Sequence, residues 1–354
     1  MSTLILPVAG RSSRFPGMRP KWLLTMPSGL LMLEASCQAL DLSAYNRIVV
    51  ICLREHLEDF VDQSQLEHSL QKNIRSDVEL CVLDSPTRSH AETIYEGIIK
   101  AGIEGSIYLK DCDNTFNAPF CSGNVITTVD LNNVGLIDAK NKSYVEVSDI
   151  GNVVNIVEKS VIGNLFCCGG YSFDSAKRFC ETYLRISQSD IANEIYISHV
   201  VYSMMLDGEV FTVQGAVDYI DWGTLREYRE YCGHYLTIFC DVDGVLLNNG
   251  SKFGKNGWAT DVIKENVQTL AELQKRGLLF LVVTTSRPNS EQDYVAAKLN
   301  EYGLKIDCFV GGLPHTKRVL INDFSATNPY PSAISINLER NSRELSSLLN
   351  FISE

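Results

Sequence analysis

Along this chain, apolar runs of strand length alternate with segments whose apolar residues recur at helical spacing. The runs "TLILPVA", "RIVVICL", "VELCVLD" and "GSIYLKDCD" come first, and "YLTIFCDVD", "LLFLVVTTS", "CFVGG", "KRVLIND" and "SAISIN" occupy the last third. Between them lie amphipathic stretches such as "LEDFVDQSQLEHSLQKNI" and "VIKENVQTLAELQKRG". Unbroken Val/Ile/Leu runs are the mark of strands covered on both faces, so the pattern predicts α/β folding on parallel sheets. From residue 120 to 175 the rhythm shortens, and Gly and Asn turns separate "VITTVDL", "YVEVSDIGNVVNIVEKS" and "FCCGGYSF". That change predicts a mixed or antiparallel patch suited to binding a substrate. After "DWGTLREYREYCG" the pattern resets from helix to a new buried strand, with Gly233 as the helix stop. The expected architecture is therefore two doubly wound, Rossmann-like α/β domains, residues 1–232 and 234–354, the first with a mixed sheet.

Composition narrows this picture. At 354 residues, 45% hydrophobic and 21% charged, the chain can fill two cores of ordinary size. No apolar run approaches the ~20 residues of a membrane span, and the first run is too short, and its arginines misplaced, for a signal peptide. A cytoplasmic protein with no membrane partner is expected. Eleven cysteines without a Cys-x-x-Cys pair suit buried free thiols better than disulfides or a thiolate metal site. The six histidines lack metal-ligand spacing, and Tyr183, Tyr196 and Tyr202 read as helix packing rather than a stacking platform. A net charge of −12 argues against a nucleic-acid partner, so a bound phosphate has to be met by a local basic cluster.

The first strand opens onto such a cluster. Ala9, Gly10, Arg11, Ser12 and Ser13 form a loop where a doubly wound sheet aims backbone N–H groups at phosphates. Arg11, Arg14, Arg19 and Lys21 put four cations within eleven residues, which an anion would neutralise; a solvated basic edge is the other reading. Asp111 and Asp113 close a later strand, either as a Mg²⁺ pair or as turn and helix-cap residues. "VEKS" sets Glu158 beside Lys159, and "YIDWGT" brings Asp221 to a strand end.

Taken in order, these blocks resemble the sugar-nucleotidyltransferase family over roughly residues 1–232. Ala9 to Arg14 resembles its glycine-rich loop, Pro20-Lys21 its Pro-Lys, and Asp113-Asn114 its Asp-Asn. Val157-Glu158-Lys159 is similar to its Val-Glu-Lys, Gly169 to Phe173 to its Gly-x-Tyr-x-Phe turn, and Asp221 to Thr224 to its Asp-x-Gly-Thr. One position departs: Ser12 stands where the family's loop has a second glycine, so either the backbone stays further from the triphosphate or the hydroxyl replaces an N–H contact. The resemblance implies a GT-A-like fold and transfer of a nucleotidyl group from an NTP to a sugar or polyol phosphate, releasing pyrophosphate. It implies Arg14 and Lys21 at the reacting phosphates and Asp113 and Asp221 on Mg²⁺. Glu158, Lys159 and Gly170 fall to the acceptor, and "SPTRSHAETI" to the base, whose identity stays open.

In the last third, Asp241 and Asp243 lie two apart at a strand end, and later strand ends offer Thr285 and then Lys317 with Asp323. Paired carboxylates there can divide labour between nucleophile and acid/base. The set resembles the haloacid-dehalogenase-like phosphohydrolases over nearly all of residues 234–354. The resemblance implies Asp241 as the nucleophile forming an aspartyl-phosphate, Asp243 as acid and base, Thr285 on the phosphoryl group and Lys317 offsetting its charge. Mg²⁺ would fall to Asp241, Asp243 and Asp323, with Asn322 ordering a metal-bound water; Thr284 rivals Thr285. About forty residues separate the first two motifs, too few for a folded cap. The site is therefore expected to be open or covered by the "NNGSKFGKNGW" loop, and it either takes larger substrates or is closed in a homo-oligomer. Together the halves imply a bifunctional enzyme for nucleotide-activated precursors of a surface glycan such as a capsule. The competing reading is a phosphatase whose first domain only binds nucleotide and regulates.

Overall fold

The computed structural model describes residues 2–134, 139–188, 194–255, 257–322 and 333–349. The chain separates into two compact units, Met1–Tyr228 and Arg229–Glu354. In the first, the leading apolar runs become β1 (Ser2–Pro7), β2 (Arg47–Leu53), β3 (Glu79–Leu83) and β4 (Ser106–Lys110). There follow β5 (Asn114–Asn117), β6 (Val125–Asp130), β7 (Ser143–Val147), β8 (Val153–Glu158) and β9 (Leu165–Phe173). The short strands β10 (Thr212–Gly215) and β11 (Val217–Asp221) complete the unit. The main sheet runs β10-β6-β9-β4-β1-β2-β3, with β7 linking β8 to β9. β1 pairs in parallel with β2 and β4, while β9 runs antiparallel between β4 and β6. The sheet is mixed, and its antiparallel part lies where the sequence rhythm shortens.

β1 is buried on both faces. Ile5 joins the core on one side with Leu109 and Phe173, while Leu4 and Leu6 join the other with Trp22 and Val50. Each such aliphatic side chain contributes about 1.5–3 kcal/mol by leaving water. The helices of this unit are α1 (Met32–Cys37), α2 (Arg54–Phe60), α3 (Gln63–Asn73), α4 (His90–Ala101), α5 (Ala176–Ser187) and α6 (Ile197–Leu206). The single helix suggested by "LEDFVDQSQLEHSLQKNI" is split into α2 and α3, because Asp62 accepts the Gln65 N–H at 3.0 Å and caps a new start. Helix α7 (Leu225–Gly233) ends at the expected glycine, but the division between units falls inside it, between Tyr228 and Arg229.

The second unit has three parallel strands in order, β12 (Leu236–Asp241), β13 (Leu279–Thr284) and β14 (Cys308–Val310). Helices α8 (Lys264–Lys275), α9 (Gln292–Asn300) and α10 (Leu345–Leu348) pack with these strands. Val267, Leu270, Val295 and Leu299 from the helices share one core with Leu281 and Val283. Alternation along the strands leaves Phe239 and Phe280 on the opposite face, 57% and 51% exposed. Of the five strands expected in this unit, three form among the described residues. Residues 318–322 form no strand, Ile321 being 89% exposed, and the described part of "SAISIN" forms none either. Apolar content predicts what a segment can bury, whereas a strand also needs a partner ladder, and β12 pairs only with β13 among the described residues.

All eleven cysteines are free and eight are buried. Burial pushes the Cys37 thiol up to about 11 and Cys240 to about 12, so these are packing residues rather than nucleophiles.

Candidate active sites

A cavity of about 800 Å³ opens at the carboxyl ends of β1 and β4. Gly10, Arg11, Ser12, Ser13 and Arg14 line one side; Ala9 is buried beneath them at the strand end. Ser12 takes the left-handed backbone conformation, φ +48°, which costs a non-glycine residue about 1 kcal/mol. Its hydroxyl compensates by accepting the Lys21 backbone N–H at 3.0 Å, fastening the loop to the short helical turn Lys21–Leu23. The serine at the glycine position therefore preserves the turn and adds a clamp that glycine lacks. Arg19, at the same loop, does not line the cavity.

The two carboxylates are brought together by backbone pairing. Asp221 sits opposite Asn114 in the antiparallel β5–β11 ribbon, and the Trp222 N–H donates to the Asp113 carbonyl at 2.8 Å. A Cβ on Gly223 would lie 3.0 Å from Asp221 Oδ1, 3.4 Å from Asp113 Oδ2 and 3.5 Å from Arg14 Nη1, so both carboxylates and a guanidinium converge on one point that glycine leaves uncrowded. Thr224 and Glu227 then cap each other at the start of α7.

Each carboxylate carries a lysine. Lys21 Nζ bonds Asp113 Oδ2, with Arg14 Nη2 3.8 Å from the same oxygen. Burial pushes the Asp113 carboxyl up, but Lys21 and Arg14 outweigh it and hold it below the usual range. The reverse holds for Lys21, where burial lowers and Asp113 raises, with a net rise. Lys142 Nζ bonds Asp221 Oδ2 and donates to the Tyr219 hydroxyl at 2.9 Å. Asp111 stands apart from this pairing: His90 Nε2 is 3.5 Å from its Oδ1, and burial raises its carboxyl.

On the far side of the cavity, Glu158 Oε2 accepts from Ser143 Oγ and, at 2.7 Å, from Ser198 Oγ. Lys159, at φ +55°, lies 4.3 Å over the Tyr196 ring and bonds its hydroxyl. The reading of Tyr196 as helix packing is corrected: it precedes α6, where its ring faces the cavity, while Tyr183 does stack on Tyr95. Gly169 and Gly170 let β9 pass close beneath the site. A Cβ on Gly169 would come within 2.6 Å of Asp111 Oδ2, and one on Gly170 within 2.4 Å of the Tyr108 hydroxyl. Thr87, Arg88, Ser89 and His90 line the cavity too, within the segment assigned to the base.

Several contributors have no signal in the sequence. Lys142 sits in "NKS" with no motif around it, and Ser143 and Ser198 reach Glu158 only through strand pairing and helix placement. Lys110 is fully buried under the Asp111–Asn114 loop, donating to the Asp111 carbonyl at 2.6 Å and to Asn114 Oδ1 at 2.7 Å. Its run reads as ordinary strand.

In the second unit, Asp243 is gripped by Arg287, which is 0% exposed: Nε lies 3.0 Å from Oδ2 and Nη2 2.7 Å from Oδ1. Arg287 also donates to the Trp258 carbonyl at 2.7 Å, so the loop after β12 closes over it. Thr285 Oγ1 reaches Asp243 Oδ2 at 3.4 Å, whereas Thr284 Oγ1 turns back to the Cys240 carbonyl. Asp241 Oδ2 is 3.2 Å from Arg318, not Lys317, whose side chain is exposed. Without a strand to fix its register, Lys317 is not delivered to the strand ends. Asp323 lies outside the described residues. Among those described, no group of three or more His, Cys, Asp or Glu is placed to hold a metal.

No protein-family model matches the chain, and none of the curated proteins matches it. Solved structures do. The nucleoside-diphosphate-sugar pyrophosphorylase from Vibrio cholerae RC9 is 22% identical, with a TM-score of 0.54, over 65% of this chain and 99% of that one. The inositol-1-phosphate CTP transferase from T. maritima is 15% identical, with a TM-score of 0.50, over 64% and 90%. A UDP-glucose pyrophosphorylase complexed with UDP-glucose is 14% identical, with a TM-score of 0.51, over 66% and 97%. The share of this chain covered is close to that of Met1–Tyr228. At these identities the likeness is one of fold: the chain carries the mixed-sheet α/β fold of nucleotidyltransferases.

Proposed function

We propose that the first unit transfers a nucleotidyl group from an NTP to a sugar or polyol phosphate. The observation that carries this reading is the convergence, in one cavity, of a basic loop, two lysine-paired carboxylates and the Glu158–Lys159 pair. An acceptor phosphate oxygen attacks the α-phosphorus, the bond between the α-phosphorus and its bridging oxygen breaks, and pyrophosphate leaves with the electron pair. Such a reaction needs charge neutralisation and alignment more than covalent help. Arg14 and Lys21 hold the triphosphate against the loop N–H groups, Lys159 takes the acceptor phosphate, and Glu158, oriented by two serines, accepts from an acceptor hydroxyl. Two hard carboxylates lining one cavity, Asp113 and Asp221, fit Mg²⁺, which takes one or two carboxylates and completes its shell with water and phosphate. Bound by Asp113 and Asp221, the ion would neutralise developing charge on the phosphates. The test is a screen of four NTPs against sugar and polyol phosphates for pyrophosphate release. Tight NTP binding without release in any pair would instead support the regulatory reading.

A second activity is proposed for the second unit, phosphomonoester hydrolysis through Asp241, favoured by the placement of Asp241, Asp243 and Thr285 at adjoining strand ends. Asp241 would attack the phosphorus as the bond to the alcohol oxygen breaks, the alcohol taking its proton from Asp243; water, giving a proton back to Asp243, would then attack the phosphorus of the aspartyl-phosphate, releasing inorganic phosphate and restoring Asp241. Two such activities on one chain suit sequential steps toward an activated glycan precursor, such as one for a capsule, an argument from domain pairing alone. The phosphatase would then act on a phosphate other than the one used for nucleotide linkage.

A further inference from the structure

We propose that Lys142 is a second phosphate-binding lysine of the acceptor site, held in reserve on Asp221. The inference rests on the nucleotidyl-transfer reading and deepens it. Lys142 is 17% exposed and Asp221 5%, so their ion pair is largely withdrawn from water and each group needs a partner. A divalent cation taken by Asp221 would displace the ammonium, which must then find another anion.

The backbone says which anion is nearest. The Lys159 N–H donates to the Lys142 carbonyl at 3.0 Å, so the two lysines lie on adjoining strand ends. Ser143, the next residue, bonds Glu158. Lys142 thus belongs to the acceptor side of the cavity, while Arg14 and Lys21 belong to the loop side. A phosphate monoester dianion carries nearly two charges, and Lys159 alone matches one. Lys142 supplies the second when it leaves Asp221. Metal and acceptor phosphate then favour each other's binding, since each removes the group the other must displace.

Two variants test this, Lys142→Met, which keeps length without charge, and Lys142→Arg, which keeps charge. Mn²⁺ binding to the full chain without nucleotide, followed by electron paramagnetic resonance, reads the guard on Asp221. Lys142→Met is expected to bind Mn²⁺ about tenfold more tightly than wild type, and Lys142→Arg within about twofold of it. With the fastest acceptor from the panel, Lys142→Met should raise the acceptor KM at least tenfold, lower kcat, and move the NTP KM less than twofold. Unchanged Mn²⁺ affinity, or equal effects on both KM values, would overturn the proposal. If wild type releases no pyrophosphate with any pair, the transfer reading fails, yet the Mn²⁺ measurement still decides whether Lys142 guards Asp221.

Discussion

The two sites hold their carboxylates in opposite ways. In the first unit, Asp113 and Asp221 are paired to lysines on flexible four-carbon stems, inside a cavity with room for substrates. Asp243 in the second is locked by a planar guanidinium that is itself bound to Trp258 and Thr260. A lysine is a point charge that can change partners, whereas a bidentate, fully buried arginine fixes geometry. The first arrangement suits a site that exchanges ammonium for metal and phosphate. The second suits a carboxylate whose position must not vary while, on the phosphatase reading proposed above, Asp241 meets the substrate.

Separating the two sites is the most severe test of this contrast. On the phosphatase reading, Asp241→Asn should abolish phosphate release, because Asp243, the other described carboxylate at that strand end, is held by Arg287, and the substitution should leave pyrophosphate formation within about twofold. Loss of both activities in a folded protein would break the comparison. Next in size is Lys21→Ala. Removing one preorganised cation from reacting phosphates costs about 10²–10³-fold in rate, and the loss should appear in pyrophosphate release with phosphate release unaffected. Near-normal transfer would remove Lys21 from the site.

The same contrast explains what the sequence revealed. Residues delivered by strand ends and tight turns were legible, since Arg14, Lys21, Asp113, Glu158 and Asp221 each follow an apolar run or sit in a recognisable turn. Lys142, Ser198 and Tyr196 were not, because they reach the cavity through the pairing of β7 with β8 and the placement of α6, which no local pattern encodes. Tyr196 escapes the pattern for a related reason: an aromatic beside a helical apolar stretch has the same pattern whether it packs or faces a cavity. In the second unit, β12 and β13 were plain from their apolar runs, but "KRVLIND" has that composition without a strand forming in its described part. Composition permits a ladder without supplying the neighbour that completes it.

Acid offers a smaller effect with a defined sign. Because ion pairing depresses the Asp113 carboxyl below its unfolded value of about 3.9, its contribution to stability is present above that pH and lost as pH falls toward the folded value. Thermal melts at pH 7 and pH 3 should therefore show a larger drop for wild type than for Asp113→Asn, by a few degrees. Equal drops would mean that Lys21 does not stabilise the ionised carboxyl in solution.

The smallest expected effect belongs to Ser12→Gly, and it bears on how firmly the flexible cation is positioned. Glycine relieves the left-handed strain of about 1 kcal/mol. The substitution also removes the hydroxyl that accepts the Lys21 N–H, a bond of about 1 kcal/mol, and loosens the unfolded chain. The terms nearly cancel, so the melting temperature should move by no more than about 2 °C. Transfer should nonetheless slow a few-fold, since Lys21 loses the tether that sets its ammonium against Asp113, and the loss should fall on kcat/KM for the NTP rather than for the acceptor. A variant that transfers faster than wild type would show that Ser12 keeps the backbone away from the triphosphate, and that the clamp on Lys21 is a cost of that departure rather than its purpose.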